Sequence, residues 1–549
     1  MTDLVRSTAY HRCVTQVTSR PSFPFGIVPP WSSPAPLRVS PDFGPTDTVR
    51  GWLVTAFLTV IAGITRFIML NYPTEGGTPV FDEKHYAPEA WQILTGGGVE
   101  DNPGYGRVVH PPVGKQMIAI GEWLFGYNAW GWRFTAALSG TILVLLIIRI
   151  VRRLSRSTLI GAIAGILAIC DGLLFVSSRI GMLDIFMALF VTAAFGCLVV
   201  DRDQMRERLA LADAQGRIAV TDWGPRLGVR WWRFGAGVLL GLACGTKWSG
   251  IYFIVAFGLM SVFFDVAARR AYGVRRPWIG TIVRDVGPAL YALVLIPLGV
   301  YLATYWGWFA SEDGIYRYAV GNQVGRGGFW SFLPDALRSL WFYSGESLHF
   351  HEGLTNSAGN QHPWESKPWT WPMGLRPMLY HYAGNVSGCG SAPCVKAVML
   401  IGTPAIWWVA FPVLAWMIWR TIVKRDWRYA AVLTGYGAAL LPWFLTLDRQ
   451  MYFFYAVALA PFLMMGVALV LGDILGPARE FVLRRPGWSV PMAPVATYLP
   501  SERRSLGLLT ICLYLGLVIA NFIWLWPILT ALPITESNWH DHLWLPSWR

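Results

Sequence analysis

Charged residues are scarce in this chain of 549 residues, since Asp, Glu, Lys and Arg together make up only 14%, against roughly 25% in globular proteins. Cysteine is also scarce, with 7 residues, which excludes a small scaffold held by disulfides. No short apolar signal-peptide core follows Met1, so we expect the first apolar run to stay in the mature chain. An ordinary soluble protein, a collagen and a disordered chain are therefore excluded.

Long apolar runs are abundant. Hydrophobic residues make up 54% of the chain, which has 30 Trp, and Trp is enriched at membrane interfaces. The runs of about 17 to 25 residues are long enough to cross a bilayer as helices, so we predict an all-α integral membrane protein. About eleven spans are predicted, near 51–71, 133–151, 158–177, 181–200, 233–248, 250–266, 286–306, 397–420, 429–446, 450–471 and 507–530.

The formal charge of +13 is explained by where the basic residues lie. If the Pro- and Ser-rich segment 1–49 is cytoplasmic, roughly 30 of the 45 Lys and Arg fall on the cytoplasmic side, as the positive-inside rule requires. We therefore expect no nucleic-acid partner. The prediction is a mostly disordered cytoplasmic tail (1–49), a multi-span domain (50–549) with two long outer loops at 72–132 and 307–396, and an extracytoplasmic C-terminus.

The first outer loop carries two adjacent carboxylates, Asp82 and Glu83. Neighbours on a helix point about 100° apart, so one can act while the other orients it or binds a cation. Further on, two prolines after His110 precede a predicted amphipathic helix at 113–126 that contains Lys115. Its N-terminus, with Lys115 and His110, could hold an anion; the alternative is a helix lying on the membrane with a snorkelling Lys.

Charges within or at the ends of apolar runs are costly, so they face a cavity or a partner. These residues are Arg66, Arg133, Asp171, Asp184, Lys247 and Arg449. We expect Arg179 to pair with Asp184 across a tight turn. Several cations at the outer leaflet would suit a lipid-linked phosphate.

The second outer loop places His362, Trp364 and Glu365 in a Trp-rich stretch that suits either a sugar or the membrane surface. We expect Cys389 and Cys394 to form a disulfide if this loop faces an oxidising compartment. His349, His351 and Glu352 could bind a metal by residue type, but their spacing is no standard zinc signature.

Taken together, these motifs resemble the protein O-mannosyltransferase family in its actinobacterial form, over about residues 50–530. The segments that carry the resemblance are 81–85 (FDEKH), 110–115 (HPPVGK), Arg179 through 182–184 (MLD), 245–250 (GTKWSG) and 362–367 (HPWESK). The family has the GT-C glycosyltransferase fold and moves mannose from a polyprenyl phosphate onto Ser or Thr of exported proteins. The β-trefoil module that eukaryotic relatives carry in the second loop is missing here, which favours a bacterial plasma membrane.

The resemblance implies Asp82 as the base, with Glu83 orienting it or contacting substrate. Arg133 and Lys247 are the first choices for the donor phosphate, followed by Arg449, Lys115 and Arg66. His110, His362, Trp364 and Glu365 are expected to position donor or acceptor. Because a phosphate leaving group needs cations and no proton donor, one carboxylate base suffices for direct inverting transfer.

No cofactor is firmly predicted, although paired carboxylates could hold a divalent cation. The expected partners are the polyprenyl-phosphate mannose, membrane lipids and exported polypeptides, which the secretion translocon could deliver. The nearest alternative is a related lipid-phosphate glycosyltransferase of the aminoarabinose or arabinose type. A transporter is the more distant alternative, because the broken helix pairs that would mark one are not visible in the sequence.

Overall fold

The computed structural model describes residues 47–100, 109–359, 362–476 and 501–549. All of them belong to one unit, Ser40–Arg549. The prediction for the tail 1–49 falls almost entirely outside the described residues. Only its last three positions are included, and there the first helix already begins at Thr48.

The described chain is mainly helical. In chain order its helices are α1 (Thr48–Phe67), α2 (Glu83–Thr95), α3 (Val113–Phe125), α4 (Ala129–Ser155), α5 (Thr158–Ile169), α6 (Gly172–Ser177), α7 (Asp184–Ala214), α8 (Trp231–Thr246), α9 (Gly250–Ala271), α10 (Pro277–Thr304), α11 (Trp306–Ala310), α12 (Asp335–Gly353), α13 (Pro404–Ile422), α14 (Trp427–Leu440), α15 (Ala460–Leu475), α16 (Ser501–Thr530) and α17 (Glu536–His542). Short 3₁₀ turns, such as Phe453–Ala458 before α15, fill several connections.

Seven helices in the described ranges are long and apolar enough to cross a membrane, namely α1, α4, α7, α9, α10, α13 and α16. Two shorter apolar helices, α5 and α15, lie among them. Each of the eleven predicted spans overlaps a helix of the structure, so the order of the elements agrees with the prediction. The number of crossings stays a prediction, because α5, α8, α14 and α15 are shorter than a full span.

Local sequence explains several helix boundaries. The Asn128 side chain accepts hydrogen bonds from the backbone of Trp130 and Gly131 at 3.0 and 3.2 Å, and this cap starts α4. Asp171 caps α6 in the same way and also accepts the indole N–H of Trp407. This intramembrane carboxylate therefore supports the fold.

Small residues bring α3 against α4. A side chain at Gly121 would put its Cβ 2.3 Å from the carbonyl oxygen of Gly131, so glycine is required at this crossing. The helix predicted at 113–126 is thus confirmed as Val113–Phe125. It packs on the bundle with one face, while Trp123 and Leu124 on the other face are exposed.

A small sheet corrects the all-α prediction. Strands β1 (Met378–Ala383), β2 (Cys394–Leu400) and β3 (Ile534–Thr535) pair antiparallel in the order β1-β2-β3. The predicted span 397–420 is therefore wrong at its start, because its first residues form β2 and the helix begins at Pro404. Apolar runs that are buried do not distinguish a strand from a helix by hydrophobicity alone.

The expected disulfide joins Cys389 to Cys394 in the turn between β1 and β2. Because β3 precedes α17 near the C-terminus, the sheet ties the second outer loop to the last residues of the chain. Arg376 and Leu375 add hydrogen bonds to Ser547. The C-terminal residues thus lie with the second outer loop.

Charges at the two ends of the bundle belong to different networks. At one end, Arg152 binds Asp47 at 2.7 Å, and Arg230 bridges Asp201 and Asp265 at 2.5 and 2.7 Å. At the other end lie Arg66, in the last turn of α1, and Arg133, in the first turns of α4. The second end also carries the predicted catalytic residues.

Candidate active site

Glu83, the first residue of α2, is fully buried. Its two carboxylate oxygens accept bidentate hydrogen bonds from Arg133, each at 2.7 Å. The backbone N–H of Gly181 donates to the same carboxylate at 2.6 Å. Arg133 also donates to the carbonyl oxygens of Leu70 and Pro73. The sequence left open whether Glu83 orients Asp82, contacts substrate or binds a cation. The geometry favours the last of these roles, and the cation is the guanidinium of Arg133.

Asp82 differs sharply from its neighbour. Its carboxylate is partly exposed and makes no hydrogen bond or ion pair with the described residues. The preceding residue, Phe81, has a φ of +52° and stacks on Tyr380 with ring centroids 4.3 Å apart. A left-handed conformation is rare for a bulky residue and often marks a functional site. It comes directly before Asp82, which is the N-cap residue of α2.

The environment of Asp82 favours its protonated form. Burial of the carboxyl group among protein atoms raises the pKa of Asp82 to about 6, and the negative charge of Asp184 makes a smaller contribution in the same direction. The ammonium groups of Lys247 and Lys84 act in the opposite direction. A carboxylate with this pKa is a stronger base than an ordinary Asp and is still ionised at neutral pH.

Lys247 is a candidate for binding the substrate. It follows α8 directly, and its ammonium binds both oxygens of Asp184, at the start of α7, at 2.8 and 2.9 Å. It also lies over the rings of Phe454 and Tyr455, at 5.3 and 5.8 Å from their centroids. The salt bridge to Asp184 thus holds Lys247 close enough to Asp82 for its charge to act on that carboxylate.

The predicted pair of Arg179 with Asp184 is wrong. Arg179 donates instead to main-chain carbonyls around the end of α1, those of Arg66, Ile68 and Met69, at 2.5 to 3.1 Å. The reason is that the last carbonyls of a helix have no partner within the helix. Arg179 satisfies them, and Asp184 is left to Lys247.

Arg66 and Lys115 are enclosed by the protein. Arg66 is fully buried and donates to the carbonyl of Ala168 at 3.0 Å. Lys115 is also fully buried, between Glu100 at 2.5 Å and Glu89 at 3.3 Å. Burial alone would lower the pKa of Lys115, but these two carboxylates outweigh it and raise the pKa. The snorkelling alternative for Lys115 is therefore wrong, and the geometry favours neither residue for the donor phosphate.

Arg449 is held at the site by His351, at the end of α12. It donates to the carbonyl oxygen of His351 at 3.0 Å and to its Nδ1 at 3.2 Å. Nε2 of His351 lies 2.8 Å from the carbonyl oxygen of Val109, which can only accept, so Nε2 carries the proton. The Nε of Arg449 is buried without a partner among the described residues.

Two histidines near Arg449, His351 and His110, are neutral. Burial lowers the pKa of His351 to about 4, and the positive charge of Arg449 adds to the effect. Burial likewise lowers the pKa of His110 far below its usual value, together with the charge of Lys247. The two rings lie 5.3 Å apart. His110 is thus placed beside Lys247 and Arg449 as a neutral polar group.

The Trp-rich segment of the second loop reaches the site through Arg449. Glu365 binds Lys367 at 2.5 Å and Asn356 at 2.9 Å, and Lys367 donates to the carbonyl oxygen of Arg449 at 3.1 Å. Nδ1 of His362 accepts the backbone N–H of Trp364. The structure therefore connects His362, Trp364 and Glu365 to the Arg449 loop, and no contact joins them to Asp82 in the described part of the chain.

His351 is the site residue that sequence reasoning missed, since its residue type was considered only for a metal. Residue type was the only signal in the sequence, because the contact of His351 with Arg449 joins residues that are 98 positions apart. Within the described ranges no group of three or more His, Cys, Asp or Glu could hold a metal ion.

Comparisons with known proteins agree over most of the chain. A profile described as the C-terminal four TMM region of protein-O-mannosyltransferase matches residues 336–548, and one described as dolichyl-phosphate-mannose-protein mannosyltransferase matches 127–310. A polyprenol-phosphate-mannose–protein mannosyltransferase from Mycobacterium tuberculosis is 62% identical, covering 95% of this chain and 96% of that protein. The chain belongs to the polyprenol-phosphate-mannose–protein mannosyltransferase family. A Corynebacterium glutamicum member is 44% identical over 90% of this chain and 93% of its own length.

A solved structure supports the fold of this mannosyltransferase. The S. cerevisiae protein O-mannosyltransferase Pmt1-Pmt2 complex bound to the sugar donor contains a chain that is similar with a TM-score of 0.67, at 14% identity, over 94% of each chain. This likeness confirms the predicted GT-C fold. The predicted family and enzyme class are confirmed by the relatives at 62% and 44% identity. The chain is a multi-pass membrane glycosyltransferase. An undecaprenyl phosphate-α-4-amino-4-deoxy-L-arabinose arabinosyl transferase from Pseudomonas fluorescens is also similar, at 25% identity over 54% of this chain and 48% of its own length, so the relatives favour the mannosyl type over the aminoarabinose type. Because the relatives show the enzyme class, the transporter alternative is not retained.

Proposed function

We propose that this mannosyltransferase moves mannose from a polyprenyl phosphate to Ser or Thr hydroxyls of exported proteins, at the outer face of a bacterial plasma membrane. The family's name supports the donor and the acceptor class. The observation that carries the site assignment is the contrast between Glu83, whose carboxylate is fully engaged, and Asp82, whose carboxylate is partly exposed and uncommitted beside Lys247.

The reaction is a single displacement. Asp82 accepts the proton of the acceptor hydroxyl as its oxygen attacks the anomeric carbon, and the bond from that carbon to the phosphate oxygen breaks. The polyprenyl phosphate leaves with the bonding electrons and needs only positive charge to stabilise it. Attack from the face opposite the phosphate inverts the anomeric centre, so no carboxylate bonded to the sugar is required.

Lys247 and Arg449 are the residues that we assign to the phosphate. Both lie at the same end of the bundle as Asp82. Lys247 uses two of its three N–H donors on Asp184 and keeps one for the phosphate. Arg449 is held by a neutral His, which leaves its charge available. The charges of both cations act on His110, whose ring lies 5.3 Å from that of His351, and His110 would position the donor. Arg133, Lys115 and Arg66, also predicted for the phosphate, instead stabilise the elements around it.

The acceptor side is assigned to the second loop. His362, Trp364 and Glu365 are fixed to the loop that carries Arg449 and would contact the polypeptide or the sugar next to it. An extended acceptor emerging from the secretion translocon would meet this surface. The N-terminus is assigned to the cytoplasm and the C-terminus to the outside, since Asp47 and Ser547 lie with opposite ends of the bundle.

The assignment of Asp82 is tested with purified protein, polyprenyl-phosphate mannose and a Ser/Thr-rich peptide. Asp82→Asn should lower kcat by about a thousandfold or more, while Asp313→Asn, an exposed carboxylate in the second loop, should leave it unchanged. In the wild type kcat should fall as pH decreases through about 6, because the base must be deprotonated. Full activity of Asp82→Asn, or a flat profile between pH 5 and 7, would remove Asp82 as the base.

A further inference from the structure

The second outer loop carries a cluster of exposed aromatic side chains that the reaction does not use. Phe329, Trp330 and Phe332 form a 3₁₀ turn, and their side chains are 82%, 60% and 69% exposed. Their rings contact one another with centroids 5.0 to 6.3 Å apart. We call these three residues the aromatic cluster.

The aromatic cluster is presented by a fixed backbone. Arg338 of α12 donates to the carbonyls of Gly325 and Arg326 at 2.6 and 3.0 Å, directly before the cluster. Arg338 itself is nearly buried. Three apolar rings that are exposed on a pinned turn are costly in water, and such patches usually mark a binding surface.

The position of the turn relative to the membrane follows from its packing. α12 packs on the chain just after α10 through a small core of Tyr305, Trp308, Leu340 and Tyr343, to which Tyr301 and Leu302 in the last turn of α10 add partly buried contacts. Tyr305 comes directly after Thr304, the last residue of α10, which is of membrane-spanning length. The elements that carry the cluster therefore lie at the level where α10 leaves the bilayer.

Two further observations favour lipid as the occupant. Trp306 and Trp341, on elements of the same core, are 68% and 82% exposed, and Trp is the residue most typical of the membrane interface. The stretch 327–334, which contains the cluster, has no Asp, Glu, Lys or Arg, so no charged side chain of the turn opposes its entry into the membrane interface.

We propose that the aromatic cluster inserts into the headgroup region of the leaflet at the active-site end and fixes α12 to the membrane surface. α12 extends from Arg338, which clamps the cluster, to His351, which holds Arg449. Anchoring one end of this helix in lipid would thus keep its other end in register with the site where the lipid-linked donor must arrive.

The test compares lipid and water contact at single labelled positions. The intact protein is reconstituted in vesicles of phosphatidylcholine and phosphatidylglycerol, with Cys13, Cys197 and Cys512 replaced by Ser. Bimane is attached at Phe332→Cys or at the control Asn322→Cys, an exposed polar position of the same loop. Quenching is measured with a lipid carrying a nitroxide near its headgroup and with aqueous iodide.

The ratio of lipid quenching to iodide quenching should be at least about twofold higher at position 332 than at position 322. An equal or lower ratio would overturn the proposal, because the cluster would then face water. Protection of position 332 from both quenchers would also overturn it and would indicate a polypeptide cover. Retained mannosyl transfer by both labelled proteins shows that each one is folded.

Discussion

At the residue scale, the site depends on how each charge is engaged. Asp82 and Glu83 are adjacent, but one is uncommitted and the other is enclosed by Arg133 and a backbone N–H. Lys247 and Lys115 are both buried cations, but Lys247 has one carboxylate and Lys115 has two. Lys115 uses its N–H donors on Glu89, Glu100 and the carbonyl oxygen of His110 and so contributes to the fold. Lys247 uses two of its three donors on Asp184 and keeps one that can bind substrate.

His351 offers a residue-scale test that rests on the phosphate role of Arg449. Asn at this position places an acceptor near the Nδ1 position and so keeps the hydrogen bond from Arg449. Gln instead places a donor near the Nε2 position and keeps only the hydrogen bond to the carbonyl oxygen of Val109. His351→Ala and His351→Gln should raise KM for the lipid donor about tenfold, the loss expected for one hydrogen bond to a charged group. His351→Asn should stay within about threefold of wild type.

Initial rates over a range of donor concentrations measure these effects, and kcat should change little. Equal increases of the donor KM in all three variants would mean that His351 only supports the fold. A change confined to kcat would contradict the positioning role as well.

At the element scale, α2 is attached to the bundle through its first turn. The bidentate pair of Glu83 with Arg133 on α4 is completely buried, and Gly181 before α7 joins it. Because a broken buried pair leaves an uncompensated charge, removing one partner of this contact costs the fold more than removing one partner of a surface pair. It also sets the direction in which Asp82 emerges.

Two neighbouring isosteric substitutions separate these roles. Glu83→Gln should lower the free energy of unfolding by about 3 kcal/mol, because Arg133 stays buried without its charge partner. Asp82→Asn should leave stability unchanged or slightly higher, since it removes a partly desolvated charge. Thermal unfolding of both variants in the same detergent measures this difference, and equal transition temperatures would contradict it.

At the scale of the whole molecule, the two ends of the bundle have different chemistry. One end holds Arg-rich pairs such as Arg230 with Asp201 and Arg269 with Asp285. The other end holds the candidate site, the sheet and the disulfide. This separation matches the asymmetry expected of a chain oriented by its basic loops.

The proposed orientation can be measured in intact cells. Asn322→Cys lies in the second outer loop and Gln215→Cys in the basic segment after α7, and both positions are exposed. A membrane-impermeant maleimide should label Asn322→Cys in intact cells and Gln215→Cys only after lysis, in a background without Cys13, Cys197 and Cys512. The reverse pattern would invert the topology, and labelling of both positions in intact cells would place both loops outside.

The sequence alone was sufficient for the membrane class, the order of the helices and the family, because these depend on the length of apolar runs and on short motifs. It also singled out Asp82, Lys247 and Arg449. Only the tertiary structure decided that Arg133, Lys115 and Arg66 are engaged inside the protein, that Asp184 binds Lys247, and that residues 394–400 form a strand. The physical reason is that hydrophobicity acts locally along the chain, whereas the partner of a buried charge is chosen by packing between segments that are far apart in sequence.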